Sequence, residues 1–241
     1  MKKEKVKVDL NFDDIKEKIV FRVVGENKIT DYARQDAGKV VYDVLGKGMY
    51  MIYVVELDST ISVVFTDVLL EQLECSKDTI IRWAKKNTEK KYPPVLSNME
   101  NILFESDRLM KKSVNQDEKE NLDDNKASRK VYSVNLLESE HMMIDMEDGQ
   151  QMHVLTNCDI KYGASVVFYD GLLRRISRMF DDDLFLIPSS IHEMIILPKY
   201  AGIEKNDLES MLNDVNDHFL AEEEILSQKV LVYDGKKGMI M

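Results

Sequence analysis

The residue types that a serine hydrolase needs stand together at one place in this sequence, Ser189, Ser190, His192 and Glu193. Such hydrolysis requires a serine hydroxyl within hydrogen-bond reach of an imidazole, a carboxylate that orients the ring, and donors for the oxyanion. In an extended segment Ser190 and His192 share a face and Glu193 lies opposite, and no G-x-S-x-G elbow is present. We therefore predict a strand connection, in which Pro188 fixes the backbone and the hydroxyls bond to backbone groups. A metal-independent hydrolase that uses Ser190 and His192 is the alternative.

Sites for metals and phosphates have weaker support. His192 and Glu193 begin an H-E-x-x-H pattern that lacks its second histidine, and His153 and Cys158 have no second pair of ligands nearby. Three adjacent acids at residues 181–183 are typical of an exposed loop, although they leave weak binding of Mg²⁺ or Ca²⁺ open. Neither G-x-G-x-x-G nor G-x-x-x-x-G-K-[ST] occurs. The sequence predicts no cofactor and no metal site.

A strongly acidic segment lies near the carboxyl end of the sequence, where residues 207–224 hold seven acids and no Lys or Arg. We predict a helix that begins at Asn206, with Glu209 completing a capping box. Its acids would present a negative face to a basic protein partner. The apolar residues predicted to face inward are Leu208, Met211, Leu212, Val215 and Phe219. The candidate contact residues for the partner are Asp207, Asp214, Asp217 and Glu222.

The composition of the chain bounds the classes of partner. Its 241 residues carry a formal net charge of −11, and 44% are apolar and 32% charged, as in a globular soluble protein. Nucleic acids and anionic lipids attract clustered Lys and Arg, so both are disfavoured as partners. No run approaches the roughly 18 apolar residues of a membrane-spanning helix. The two cysteines form no C-x-x-C pair, which indicates reduced thiols and a cytoplasmic location. The oligomeric state is left open.

A short internal repeat predicts the architecture. Ser62–Leu70 and Ser165–Leu173 are identical at seven of nine positions, at an offset of 103 residues. This offset exceeds the roughly 20–50 residues of a solenoid repeat, so it indicates one ancestral strand–strand–helix unit used twice. In the second copy the strand is predicted at Ala164–Phe168, and Asp170 is predicted to cap the helix. The predicted fold class is α+β, with a pseudo-symmetric mixed or antiparallel sheet packed with helices.

Composition divides the chain into three parts. Residues 1–110 hold the first copy of the repeat and residues 131–241 hold the second. Residues 111–130 are predicted to form a flexible charged linker or loop, because only three of them are aliphatic. The two halves form either one compact domain or two closely docked ones. A first helix is predicted to start at Asn11 and to end at Gly25, because apolar residues recur there at helical spacing.

Apolar runs and turn residues predict the remaining elements. Consecutive rather than alternating apolar residues predict strands that are covered on both faces. Thr66 or Asp67 is predicted to cap one helix and Ser76 the next, which ends before Pro93. The strands are predicted at Val40–Leu45, Met49–Val55, Thr60–Phe65, Val131–Leu136, Met152–Leu155, Leu184–Ile187, Met194–Leu197 and Val230–Tyr233.

One segment carries a family resemblance. The string Pro-Ser-Ser-Ile-His-Glu at residues 188–193 resembles the signature of an uncharacterised bacterial family that is frequent in gut anaerobes. The resemblance extends to Ile15–Arg22, Trp83–Thr88 and Val154–Asn157, and it covers most of the chain except the charged linker. Members of that family usually carry a further amino-terminal region, which we expect this chain to lack. Because the family has no established activity, the resemblance implies relatives and no mechanism. The predicted function is a non-catalytic interaction or regulatory module.

Overall fold

Antiparallel sheets and helices build the protein, so the predicted α+β class is confirmed. The computed structural model describes residues 11–34, 38–99, 134–135 and 152–241. The helices are α1 (Phe12–Ile15), α2 (Glu26–Ala33), α3 (Asp67–Gln72), α4 (Lys77–Lys91), α5 (Leu172–Phe180) and α6 (Lys205–Phe219). The strands are β1 (Ile19–Gly25), β2 (Tyr42–Gly46), β3 (Met49–Glu56), β4 (Ser62–Val64), β5 (Pro94–Asn98), β6 (Val134–Asn135), β7 (His153–Asn157), β8 (Leu184–Ile187), β9 (Met194–Pro198), β10 (Leu231–Asp234) and β11 (Met239–Ile240).

The first sheet has the strand order β1-β3-β2, and β4 also pairs with β3. The predicted long first helix is wrong, because α1 and a 3-10 turn at Lys16–Lys18 lead directly into β1. All seven residues of β1 are buried, and the strand pairs with β3 along its whole length. An apolar run that is covered on both faces also satisfies helical spacing, so periodicity alone could not separate the two structures.

Polar side chains close the open edge of β1. The backbone N–H of Phe21 donates to Thr88 Oγ1 at 2.9 Å, and that of Val23 donates to Ser165 Oγ at 2.9 Å. Asn87 Nδ2 donates to a carbonyl of the same strand, also at 2.9 Å. Because a buried backbone group without a partner is costly, these bonds fix α4 and the segment around Ser165 against β1.

The second sheet is antiparallel, with the strand order β11-β10-β8-β9-β7-β5-β6. Helix α6 packs on β8, and its Leu208 and Leu212 are buried there. The sheet-side residues of this cluster are Phe185, Ile187, Leu197 and Val230.

A larger apolar cluster joins the two sheets. It includes Phe21 of β1, Ile80 of α4, Leu155 of β7 and Ile176 of α5, all buried. The ring of Phe21 meets that of Tyr169 edge to face, with centroids 6.0 Å apart and planes at 87°, a favourable aromatic geometry. Residues from both halves of the sequence therefore contribute to the same core.

The predicted duplication is not confirmed. In the first copy of the repeat, Ser62–Val64 form β4, and Thr66 caps α3 by accepting the N–H of Leu69 at 3.2 Å. In the second copy the predicted strand at residues 164–168 is wrong, because Gly163–Phe168 form a 3-10 helix. The order strand, strand, helix therefore holds only in the first copy.

Two residues that differ between the copies change how the following helix begins. Tyr169 stands where the first copy has the capping Thr66, and its hydroxyl donates instead to the carbonyl of Tyr92 at 2.9 Å. Gly171 occupies the position before α5 with a left-handed φ of 74°, and the helix has no side-chain cap there. The prediction that Asp170 caps this helix is therefore wrong.

The cap of α4 is confirmed, since Ser76 Oγ accepts the N–H of Thr79 at 3.2 Å and the helix ends at Lys91. The predicted linker at residues 111–130 lies outside the described residues. Within the ranges that are described, none of the helices combines the length and the apolar character that crossing a membrane requires.

Candidate functional site

The serine hydroxyls of the 188–193 connection bond close to their own positions. Ser189 Oγ donates to the carbonyl and to Oε1 of Glu193, at 3.3 and 3.2 Å. Ser190 is buried, and its Oγ accepts the backbone N–H of His192 at 3.0 Å. These are turn-stabilising bonds of the kind that the sequence predicted for the connection.

The imidazole of His192 bonds away from both serines. Its Nδ1 accepts the backbone N–H of Tyr162 at 3.3 Å, and its Nε2 lies 3.7 Å from Glu224 Oε1. The carbonyl of His192 accepts a hydrogen bond from Thr156 Oγ1 at 2.7 Å. A nucleophilic serine needs an imidazole nitrogen as its proton acceptor, and Nδ1 is engaged elsewhere. The geometry therefore gives no support to the hydrolase alternative.

Sequence reasoning missed a buried ionic cluster between the first sheet and α4. Glu56 Oε1 accepts from Arg22 Nη2 at 2.7 Å, and Oε2 accepts from Lys91 Nζ and from the Tyr92 hydroxyl, each at 2.6 Å. The Arg22 guanidinium also stacks on the ring of Tyr162, 4.3 Å from its centroid. In the sequence, the apolar run that forms β1 contains one charged residue, Arg22, and the run that forms β3 ends with another, Glu56.

The directions of the pKa shifts in this cluster indicate a structural role rather than a role in proton transfer. Burial acts to raise the pKa of Glu56, but hydrogen bonds from Lys91, Tyr92 and Arg22 outweigh it and hold the pKa below its usual value. Burial, with the hydrogen bond to Glu56, raises the pKa of Tyr92. A carboxylate held ionised and a phenol held neutral are poor proton-transfer groups near pH 7. The adjoining cavity of about 10 Å³ has about the room that one water molecule needs.

Two of the three loop acids predicted at residues 181–183 accept hydrogen bonds from the backbone. Asp182 Oδ2 accepts the N–H of Tyr200 at 2.6 Å, and Asp183 Oδ1 accepts the N–H of Gly235 at 2.9 Å. In the part of the chain that the structure describes, no three His, Cys, Asp or Glu side chains are placed to share a metal ion.

Helix α6 differs from its prediction at both its start and its inner face. It begins at Lys205, and Glu209 forms no capping box. Glu209 instead lies 3.6 Å from Lys205 and 3.3 Å from Lys229, and it accepts the N–H of Val230 at 3.3 Å. Although burial opposes ionisation, the Lys229 and Lys205 ammonium groups hold the pKa of Glu209 below its usual value. This carboxylate therefore attaches α6 to the strand that follows it.

Three of the residues predicted to face inward on α6 are exposed. Met211 is 55% exposed, Val215 40% and Phe219 81%. The row that faces the sheet consists of Leu208, Leu212 and Asn216, all buried. Asn216 holds the inner position through its Nδ2, which donates to the Ser227 carbonyl at 3.1 Å. Residues four apart form a row along a helix, so the three exposed residues form a second, uncovered row beside the buried one.

Two of the four acids predicted as contact residues lie next to this uncovered row: Asp214 is three residues from Met211, and Asp207 continues the row one turn before it. Asp217 lies further round the helix, and Glu222 follows the end of α6. Asp207, Asp214, Asp217 and Glu222 are all exposed. None of them forms an ion pair with any residue in the described ranges. We call these four acids, together with Met211, Val215 and Phe219, the α6 surface.

Comparison with known proteins gives a family and no mechanism. No curated protein and no solved structure matches the chain. A family model described as "Family of unknown function (DUF5688)" matches residues 1–235 of the chain. The chain therefore belongs to this family of unknown function.

Proposed function

We propose that the protein is a non-catalytic interaction module whose α6 surface binds a basic surface of another protein. The observation that carries the proposal is the set of four exposed acids without a cationic partner among the described residues. Two other acids of this region already have partners: Glu209 pairs with two lysines, and Glu224 lies 3.7 Å from His192.

In the protein without a partner, the arrangement of these acids destabilises α6. Asp214 and Asp217 lie three residues apart, where like charges repel each other. Asp217 also stands in the last turn of α6, where the helix dipole favours cations. A partner that brings Lys or Arg to this surface relieves both effects, so binding is favoured by electrostatic complementarity.

The test compares two variants that each remove four negative charges. Both are used as bait with the wild-type protein in cross-linked affinity capture from the native cell, with identification by mass spectrometry. We expect a partner with a basic surface that is captured by the wild type and the control, lost with the α6 variant, and weakened as ionic strength rises. Equal capture by both variants would reject the α6 surface. The α6 variant is D207N/D214N/D217N/E222Q, and the control is E17Q/E71Q/E74Q/D181N, whose four positions are also exposed.

A further inference from the structure

We infer that the partner occupies the α6 surface as an amphipathic helix, which lays an apolar stripe on Met211, Val215 and Phe219 and places Lys or Arg beside the acids. This inference rests on the proposed function and gives the form of the partner that would bind there.

The uncovered row is the first observation that supports a helix. Its three residues recur every four positions over nine residues of α6, and the first and the last are about 12 Å apart along the axis. A row of this kind forms a ridge that fits the groove between the rows of a second helix. Single exposed apolar residues are common on protein surfaces, but here a row of three makes the apolar face of α6 wider than the part that the sheet covers.

The backbone of α6 provides the second argument. A peptide that docks as an added β-strand needs backbone donors and acceptors, which a sheet edge supplies. The backbone groups along the middle of a helix are already bonded within it, so the side of α6 offers no such partners. A helical partner satisfies its own backbone groups and needs only side-chain contacts.

The position of the acids predicts which flank of the partner is basic. The buried row, Leu208 and Leu212, lies on one side of the uncovered row. Asp214 lies three residues from Met211 and borders the row on the side away from the sheet, and Asp207 extends the row by one turn before Met211. The cations of the partner helix are therefore expected along one flank of its apolar stripe.

The test uses a synthetic probe of about 18 residues, long enough to span α6 as a helix. The peptide carries leucines at helical spacing and lysines on one flank, and its control has the same composition in an order that breaks the stripe. Binding to the full chain is measured by fluorescence anisotropy at physiological salt. We expect the ordered peptide to bind, and the Val215→Ser and Phe219→Ser variants to weaken it about tenfold or more, as at interface hot spots.

Val68→Ser is the matched control, because Val68 lies on α3 and is 45% exposed, against 40% for Val215. It is expected to bind the ordered peptide as the wild type does. If the scrambled peptide binds equally well and only D207N/D214N/D217N/E222Q reduces binding, the electrostatic function stands and the helical partner is rejected. If neither peptide binds the wild type, both proposals fail.

Two further measurements decide whether something else covers the row. A wild-type dimer that Phe219→Ser converts to a monomer in sedimentation would assign the surface to a second copy of this chain. A lower urea midpoint for Phe219→Ser than for Val68→Ser would assign it to another part of the same chain. Either result overturns the inference, which requires a wild-type monomer and equal midpoints.

Discussion

Removing the carboxylate of Glu56 is expected to be among the most destabilising single changes in the described structure. The side chains of Glu56 and Arg22 are only 7% and 11% exposed, and their charged groups lie 2.7 Å apart. In the Glu56→Ala variant the partners left to the guanidinium among the described residues are the Ser62 hydroxyl, at 3.0 Å, and the ring of Tyr162. Neither of them carries a negative charge, so a buried cation is left without its counter-ion.

The expected loss of unfolding free energy is about 3–5 kcal/mol, the usual cost of removing one partner from a buried pair. That is a large part of the roughly 5–15 kcal/mol that stabilises a typical protein. For a chain of this length it corresponds to a fall in the melting temperature of roughly 6–20 °C. Urea unfolding followed by circular dichroism measures the loss directly.

Two companion variants make this prediction refutable. Asp31→Ala also removes an acid from an ion pair, but the side chains of its partner Arg34 and of Asp31 are 74% and 52% exposed. Water replaces the lost carboxylate there, so the expected cost is below about 1 kcal/mol. The double variant R22M/E56L removes both buried charges and should recover most of the stability. A Glu56→Ala variant no less stable than Asp31→Ala, or a double variant no better than the single one, would refute the reasoning.

Three other measurements test the local geometry. His192→Ala is expected to lower the unfolding free energy by about 1 kcal/mol, with a further penalty if the N–H of Tyr162 is left unpaired. The control is His218→Ala, at an exposed position. Equal stability of the two variants would contradict the prediction. Gly163→Ala should cost roughly 1–3 kcal/mol or more, because a Cβ there would lie 2.0 Å from a hydroxyl and 2.3 Å from a carbonyl oxygen; a wild-type urea midpoint would contradict it. The pKa of Glu56 is lower in the folded state, so its contribution is present above the unfolded pKa and is lost as pH falls through the folded value. Wild-type stability should therefore fall more steeply on acidification than that of Glu56→Gln, and parallel acid profiles would exclude this linkage.

Elements that are fixed by local signals were predicted well from the sequence. Ser76 caps α4 and Thr66 caps α3 as expected, because the capping bond joins residues only three apart. Apolar runs also gave the positions of β3, β8 and β9. The cluster of Arg22 and Glu56 was not predicted, because these two residues are 34 positions apart in the sequence. The pairing of β1 with β3 brings their guanidinium and carboxylate groups together.

The repeat shows how tertiary contacts override a local sequence. Ser62–Val64 extend as β4 because β3 offers them a pairing edge. The matching Ser165–Val167 lie in a 3-10 helix, where Ser165 Oγ accepts a hydrogen bond from the backbone of β1. Nearly identical residues thus take two conformations, as expected when strand preference depends mainly on the neighbours of a segment.

The error on α6 has a different cause and bears on function. Its sequence has an apolar band wider than the strip that β8 covers, so periodicity could not determine which part of the band faces the sheet. The rotation of the helix is set by distant groups, the carbonyl of Ser227 and the N–H of Val230, which bond to Asn216 and Glu209. As a result a polar Asn216 is buried while Phe219 is exposed, the reverse of the pattern that stability alone favours. Departures of this kind are expected where a surface serves binding. The exposed Phe219 beside a buried Asn216 therefore fits the partner contact that we propose for the α6 surface.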